Sequence, residues 1–349
     1  MRYSIDDREA GSAPARDHSA IMPGTTLETY CNPVLDADFP DPAVLLAEDG
    51  FYYAYATQTW RDGRWINIQV ARSADLVRWE HLGDALPDKP AWGLATQDYW
   101  APDVIFADGR YIMYYSAKPD ACAETKDHCL AIAVADSPAG PFVDIGAPLL
   151  VGQGFEYIDP MAFDDPATGK KYLYWGSGFQ PIKVQELSAD RLSFAPGTRP
   201  VELIWPNPVK GAFPRLVEAS WLIHRDGAYY LFYSGDNCCG PHAEYGVMVA
   251  RSSSPTGPFE TLEEARGVPY SLMLHKNDRW LAPGHNSMIA DKAGDWWMVY
   301  HAIDVNRPRT RQEDEINSRR ILLIDKVEWV EGWPMIGTPS DGPKPAPRT

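Results

Sequence analysis

Apolar and polar positions alternate in short runs along almost the whole chain, and the runs come in pairs. DFPDPAVLLAEDGFYYAYAT (38–57) reads as an apolar strand, an Asp-Gly turn and an aromatic strand. An Asp-Gly step between alternating apolar runs is a strong hairpin signal. The same plan returns in WAPDVIFADGRYIMYYSA (100–117), YIDPMAFDDPATGKKYLYWGSG (157–178), LVEASWLIHRDGAYYLFYSG (216–235) and GHNSMIADKAGDWWMVYHAID (284–304). Shorter echoes follow four of them: INIQVARSADLVRWEHLG (66–83), LAIAVADSPAGPFVDIG (130–146), IKVQELSADRLSFAPG (182–197) and GVMVARSSSPTGPFE (246–260). Each echo predicts a third and a fourth strand joined by a polar turn. No helical period interrupts them. Five units of four strands predict an all-β, five-bladed β-propeller in a single domain. ILLIDKVEW (321–329) is expected to add a strand that closes the ring with the N-terminal segment. The expected organisation is a flexible arm over 1–29, the propeller over 30–340 and a tail over 341–349.

The register of the repeat brings in the chemistry. Asp41, Asp103, Asp159 and Glu218 each precede the first strand of a unit, and His285 stands at that point of the fifth. The innermost strands of a propeller line a central channel, so these groups are expected to converge. A lone acid at a strand start is usually a turn cap. Four acids and a histidine at one register suggest more. Two carboxylates across a pocket, one protonated and one ionised, are the apparatus of glycoside hydrolysis, and a third acid can tune the first. Sugars also stack on aromatic faces. The chain holds 13 Trp and 18 Tyr, of which most belong to packing. Trp100, Trp175 and Trp221 are the candidates for a sugar wall.

A net charge of −16 sets nucleic acid and anionic membrane aside as partners. No run of 18 apolar residues predicts a membrane span. MRYSIDDREAGSAPARDHSA has no apolar leader core, so the expected address is cytoplasmic, or secreted if a leader has been removed. Five scattered cysteines make a poor disulfide framework. Cys122 and Cys129 pair only if their loop folds back, and Cys238 and Cys239 are too close for an ordinary bridge.

Taken together and in order, FPDPAV, WAPDV, YIDPMAF, VEASWLIHRDGAYYLFYSG and APGHNS resemble glycoside hydrolase family 43 over residues 30–335. The resemblance implies inversion with three acids: Asp41 as general base, Asp159 as modulator of the acid's pKa, and Glu218 as general acid. The family usually has Gly-Pro or Ala-Pro after that glutamate, where this chain has Ala219-Ser220. It implies that Arg320 holds a sugar hydroxyl, with Arg319 as the alternative, and that Asp103 contributes to substrate binding. It also implies that His285 holds a calcium or other hydrated cation through water, with no organic cofactor. The expected substrate is an arabinose-containing glycan or oligosaccharide, cut by an exo-acting α-L-arabinofuranosidase. A β-xylosidase or dual enzyme on xylose-containing oligosaccharides, an endo-1,5-α-L-arabinanase and a non-catalytic carbohydrate-binding propeller are the alternatives. The loops 58–66, 88–99, 118–129 and 236–245 are the expected rim.

Overall fold

The hairpin turns form where the sequence places them. Asp108-Gly109 and Asp226-Gly227 both adopt positive φ, the twist that matches two right-handed strands. They occur in a computed structural model of the protein that describes residues 27–209 and 213–348. The arm expected over 1–29 therefore lies outside the described residues up to position 26.

Five antiparallel sheets follow one another in chain order. Blade one runs Ala43–Leu46, Tyr52–Ala56, Gln69–Ser73, Trp79–Asp84. Blade two runs Tyr99–Ala107, Arg110–Ala117, His128–Ala135, Val143–Asp144, and blade three Met161–Asp164, Lys171–Trp175, Ile182–Glu186, Val201–Ile204. Blade four runs Val217–Arg225, Ala228–Gly235, Gly246–Ser252, Glu260–Thr261. Blade five has only three strands of its own: Trp280–Ala290, Trp296–Asp304 and Ile321–Lys326. This is the five-bladed β-propeller the repeat predicts.

The ring closes on the third strand of blade five. Val34 N–H donates to the Leu322 carbonyl at 3.0 Å, and Phe39 N–H to the Arg320 carbonyl at 2.7 Å. The Asn32 amide brackets Ile324, donating to its carbonyl at 2.9 Å and accepting from its N–H at 3.0 Å. Thr29–Tyr30 pairs with Lys344–Pro345, and Arg348 binds Asp295 at 2.7 Å, so the last residues are tied to the ring.

Among the described residues five of the six apolar clusters lie one at each blade–blade interface, and a smaller sixth gathers Tyr245, Ala282 and Ile303. Alternate side chains of each inner strand enter the interface before and the interface after. Val104 packs toward blade one and Met161 toward blade four. Burying one large apolar side chain contributes about 1.5–3 kcal/mol, so the many buried Tyr and Trp rings chiefly hold blade to blade.

Three features escaped the repeat pattern. Residues 58–66 rise as a hairpin arm, Thr59–Arg61 against Arg64–Ile66, and a second arm pairs Arg309–Gln312 with Glu315–Ser318. Leu262–Arg266 is a short helix capped by Thr261 and Glu264. The T-x-x-E spacing of a capping box was there to find it. Cys122 and Cys129 are free, whereas Cys238 and Cys239 are bonded to each other, contrary to expectation. No helix among the described residues is long and apolar enough to cross a membrane.

Candidate active site

At or near the inner strand of every blade stands a residue in the left-handed region, Asp41, Ala101, Asp159, Ala219 and His285, at φ 45–59°, with Ala282 as a second one in blade five. For a residue with a Cβ this costs about 1–2 kcal/mol. Each of the first five amides is then caught across a blade boundary. Asp41 N–H donates to His301 Nδ1 at 3.1 Å, Ala101 to Thr57 Oγ1 at 2.8 Å, and Asp159 to Ser116 Oγ at 3.0 Å. Ala219 donates to Asp159 Oδ2 at 3.1 Å, and His285 to Ser234 Oγ at 2.8 Å. The strain is thus repaid by a ring of hydrogen bonds between neighbouring blades.

This register corrects the one read from sequence. In blade two the special position belongs to Ala101, and Asp103 lies two residues on. Its side chain enters the interface with blade three, where it accepts from Ala162 N–H at 2.7 Å. Burial pushes its carboxyl up to about 7. Asp103 is a clamp between blades and does not face a substrate. Trp175 is fully buried in the cluster between blades two and three. Trp221 packs against the clusters on both sides of blade four. Trp175 offers a sugar no free face, and Trp221, partly buried, lies outside the lining of the cleft.

The three acids meet. Asp41 is buried beside Arg320, whose Nη1 donates to Oδ1 at 2.7 Å, and Thr57 Oγ1 donates to Oδ2 at 2.6 Å. His285 Nδ1 lies 3.2 Å from Asp41 Oδ1 and 3.9 Å from Asp159 Oδ2. Burial alone would raise the Asp41 carboxyl, but Arg320 and His285 outweigh it and hold the group well below the usual carboxylate range. Asp159 and Glu218 go the other way. Burial raises both, and in each the neighbouring acids add to it. Each negative charge disfavours the ionisation of its neighbours, so a proton is held among these carboxyls to higher pH than on a free one. Glu218 is held by Ser177 and by Tyr245, each donating its hydroxyl to one carboxyl oxygen.

Sequence reasoning missed the groups that set these states. His301 is buried, and burial drives its imidazole down to about 4. It is neutral, and its Nδ1 accepts the Asp41 amide. Tyr245 stacks on His301, with ring centroids 5.8 Å apart, and reaches Glu218, so one ring spans the base side and the acid side. Gly284 makes room for it, since a Cβ there would stand 2.2 Å from the Tyr245 ring. The signal available was the polar residue that ends each aromatic second strand: Thr57, Ser116, Ser177, Ser234 and His301.

A cleft of about 970 Å3 opens beside Asp41, reaching its neighbour Pro40 and its partners Thr57 and Arg320, while the three acids themselves lie behind its lining. Thr57 and Arg320 form part of its floor. Trp100 stands at its wall, stacked on His128 at 4.4 Å. The two arms close one side, joined where Trp65 Nε1 donates to Glu313 Oε2 at 3.0 Å. Asp38 also lines the cleft, accepting from Gln312 at 2.9 Å and from the Arg320 amide at 3.0 Å. It positions the arginine and the arm, a larger part than that of the plain loop acid its sequence context suggests.

The donor set does not fit a caged metal ion. Among the described residues no three His, Cys, Asp or Glu side chains are arranged to hold one. The His285 nitrogen nearest the acids is occupied by them, and those acids raise its pKa against the effect of burial.

A propeller that gathers an arginine-paired carboxylate and two carboxyls raised by burial and neighbouring charge, beside an open cleft, has the groups of a glycosidase-type centre. Comparison with known proteins agrees. The Glycosyl hydrolases family 43 profile matches residues 30–334, and the chain belongs to that family. It is an enzyme that hydrolyses glycosidic bonds. It is 28% identical to the extracellular endo-alpha-(1->5)-L-arabinanase 1 of Bacillus subtilis, across 84% of this chain and 86% of that one. A thermostable family-43 glycoside hydrolase of known structure superposes with a TM-score of 0.73 at 30% identity, covering 92% of this chain and 99% of the other. An endo-arabinanase from Bacillus licheniformis does so with a TM-score of 0.68 at 26% identity, covering 86% and 98%.

Proposed function

We propose that this protein is an inverting endo-1,5-α-L-arabinanase. The observation that carries the chemistry is the contrast in surroundings: Asp41 is paired with Arg320 and His285, whereas Asp159 and Glu218 are buried close to other acids. Asp41 is the general base. It takes a proton from a water as that water's oxygen bonds to the anomeric carbon. The bond from that carbon to the glycosidic oxygen breaks on the far side, and Glu218 gives its proton to the departing oxygen. Asp159 keeps the acid's proton from leaving too early. Arg320 holds Asp41 ionised and presents its remaining donors to the sugar. Trp100 offers an aromatic wall.

The repeat and the motifs alone favoured an exo-acting arabinofuranosidase. The relatives whose names state an endo-arabinanase activity support the endo alternative better. A hydrated cation at His285 has no role in these steps. Chelation is expected to leave activity intact, and a loss restored by calcium would reinstate it.

The deciding assay uses linear 1,5-arabinan. Endo action lowers viscosity well before many reducing ends appear, and NMR of the first product shows the inverted anomer. Release of single arabinose units with little viscosity change would return the reading to exo action. Turnover of xylosides alone would remove arabinan as the substrate.

A further inference from the structure

Phe179 follows the second strand of blade three and Arg215 precedes the inner strand of blade four, and neither contributes to the lining of the cleft beside Asp41. Phe179 is 58% exposed and holds φ 65°, a left-handed backbone that bulky side chains avoid. Exposure and strain together are unfavourable, and packing does not account for them. The turn carrying it is rigid. Gln180 N–H closes it onto the Ser177 carbonyl at 3.1 Å. A Cβ on Gly178 would lie 3.1 Å from Glu156 N, so the turn sits directly on the neighbouring chain. The Arg215 guanidinium lies 5.8 Å from the Phe179 ring centroid.

Both residues bracket Glu218. Ser177, two positions before Phe179, donates to its carboxyl, and Arg215 precedes it by three positions on the same chain segment. We propose that Phe179 and Arg215 form the subsite for the sugar on the leaving-group side of the cut bond. This rests on Glu218 as the proton donor. An inverting reaction places base and acid on opposite faces of the reacting centre. The cleft beside Asp41 then takes the part of the chain that ends in the attacked carbon. The departing part runs over Phe179. A strained, exposed aromatic at that point fits the apolar C–H face of a neutral sugar, and the guanidinium supplies donors to its hydroxyls.

The test uses Phe179→Ala and Arg215→Met with a linear hexasaccharide of whichever glycan the wild type cleaves, in 18O-water, so that mass spectrometry reads which bond is cut. The expected result is a loss of roughly 10–100-fold in kcat/KM together with a changed bond preference, with thermal midpoints near that of the wild type. Wild-type rates and cutting pattern in both variants overturn the subsite. So does a uniform slowing with the cutting pattern kept, which marks a structural effect passed through Ser177. Failure to cleave arabinan defeats the substrate reading while leaving this test in force. Full activity in Glu218→Gln defeats the proton-donor reading instead.

Discussion

At Asp41, burial and neighbouring charge pull in opposite directions, and charge wins. Arg320 is the largest opposing influence. Arg320→Met is expected to raise the Asp41 pKa, because the carboxylate loses its closest cation. An acid kept ionised by a cation loses that state at higher pH once the cation is gone. The acidic limb of the kcat/KM profile therefore moves up, by about 1–3 pH units for a lost arginine contact. An unmoved limb would show that another group governs it. At Glu218 burial wins instead, but its partners act in the same direction as Arg320. Its hydrogen bonds from Ser177 and Tyr245 favour the carboxylate and work against burial. Tyr245→Phe removes one of them, so the proton is held more tightly and the basic limb shifts to higher pH. The roles proposed for Asp41 and Glu218 come from the family resemblance of short motifs, and the position of each acid near the start of an inner strand was legible in the repeat. Tyr245 and His301 were not. They reach the site from a loop and from a second strand, and only the packing of blades four and five puts them beside the acids.

Among the elements, the strands were legible and their register was not. Asp-Gly turns and alternating apolar runs fix where hairpins form. They do not say which residue of an inner strand turns toward the axis, since one left-handed residue resets the alternation. That is why Asp103 and Glu218 read as equivalents of Asp41, although Ala101 and Ala219 occupy its position. The arm at 59–66 carried its own marker in Asp62-Gly63, both at positive φ. Of the Trp candidates, Trp100 reaches the cleft wall, whereas Trp175 and Trp221 pack into the clusters between blades. Trp175→Ala is accordingly expected to lower stability by about 3–5 kcal/mol, the usual cost of emptying a large aromatic site. KM for the glycan should stay as it is. Denaturant unfolding beside steady-state kinetics checks both, and a raised KM in a stably folded variant would restore the sugar-wall role.

Across the whole molecule, the ring is held at one seam, where residues 30–39 lie on the last strand of blade five. Asn32 makes that seam specific by satisfying both backbone groups of Ile324 and reaching Ser340 Oγ at 2.9 Å. Asn32→Ala leaves buried groups unpaired at about 1–3 kcal/mol each. The expected outcome is a clearly lower melting temperature, with kcat little changed well below it. An unchanged midpoint would show that the seam contributes little.

The same seam divides the proposed base from its partners. Asp41 follows the opening segment, while Arg320, His301 and His285 come from the final blade. During synthesis a ribosome delivers the carboxylate early and its counter-charge nearly last. Until blade five arrives, Asp41 lacks Arg320, His301 and His285, the groups that fix and pair it in the finished ring. The site is therefore assembled only near chain completion: a chain that stops before Arg320 carries all three acids without the base's partners.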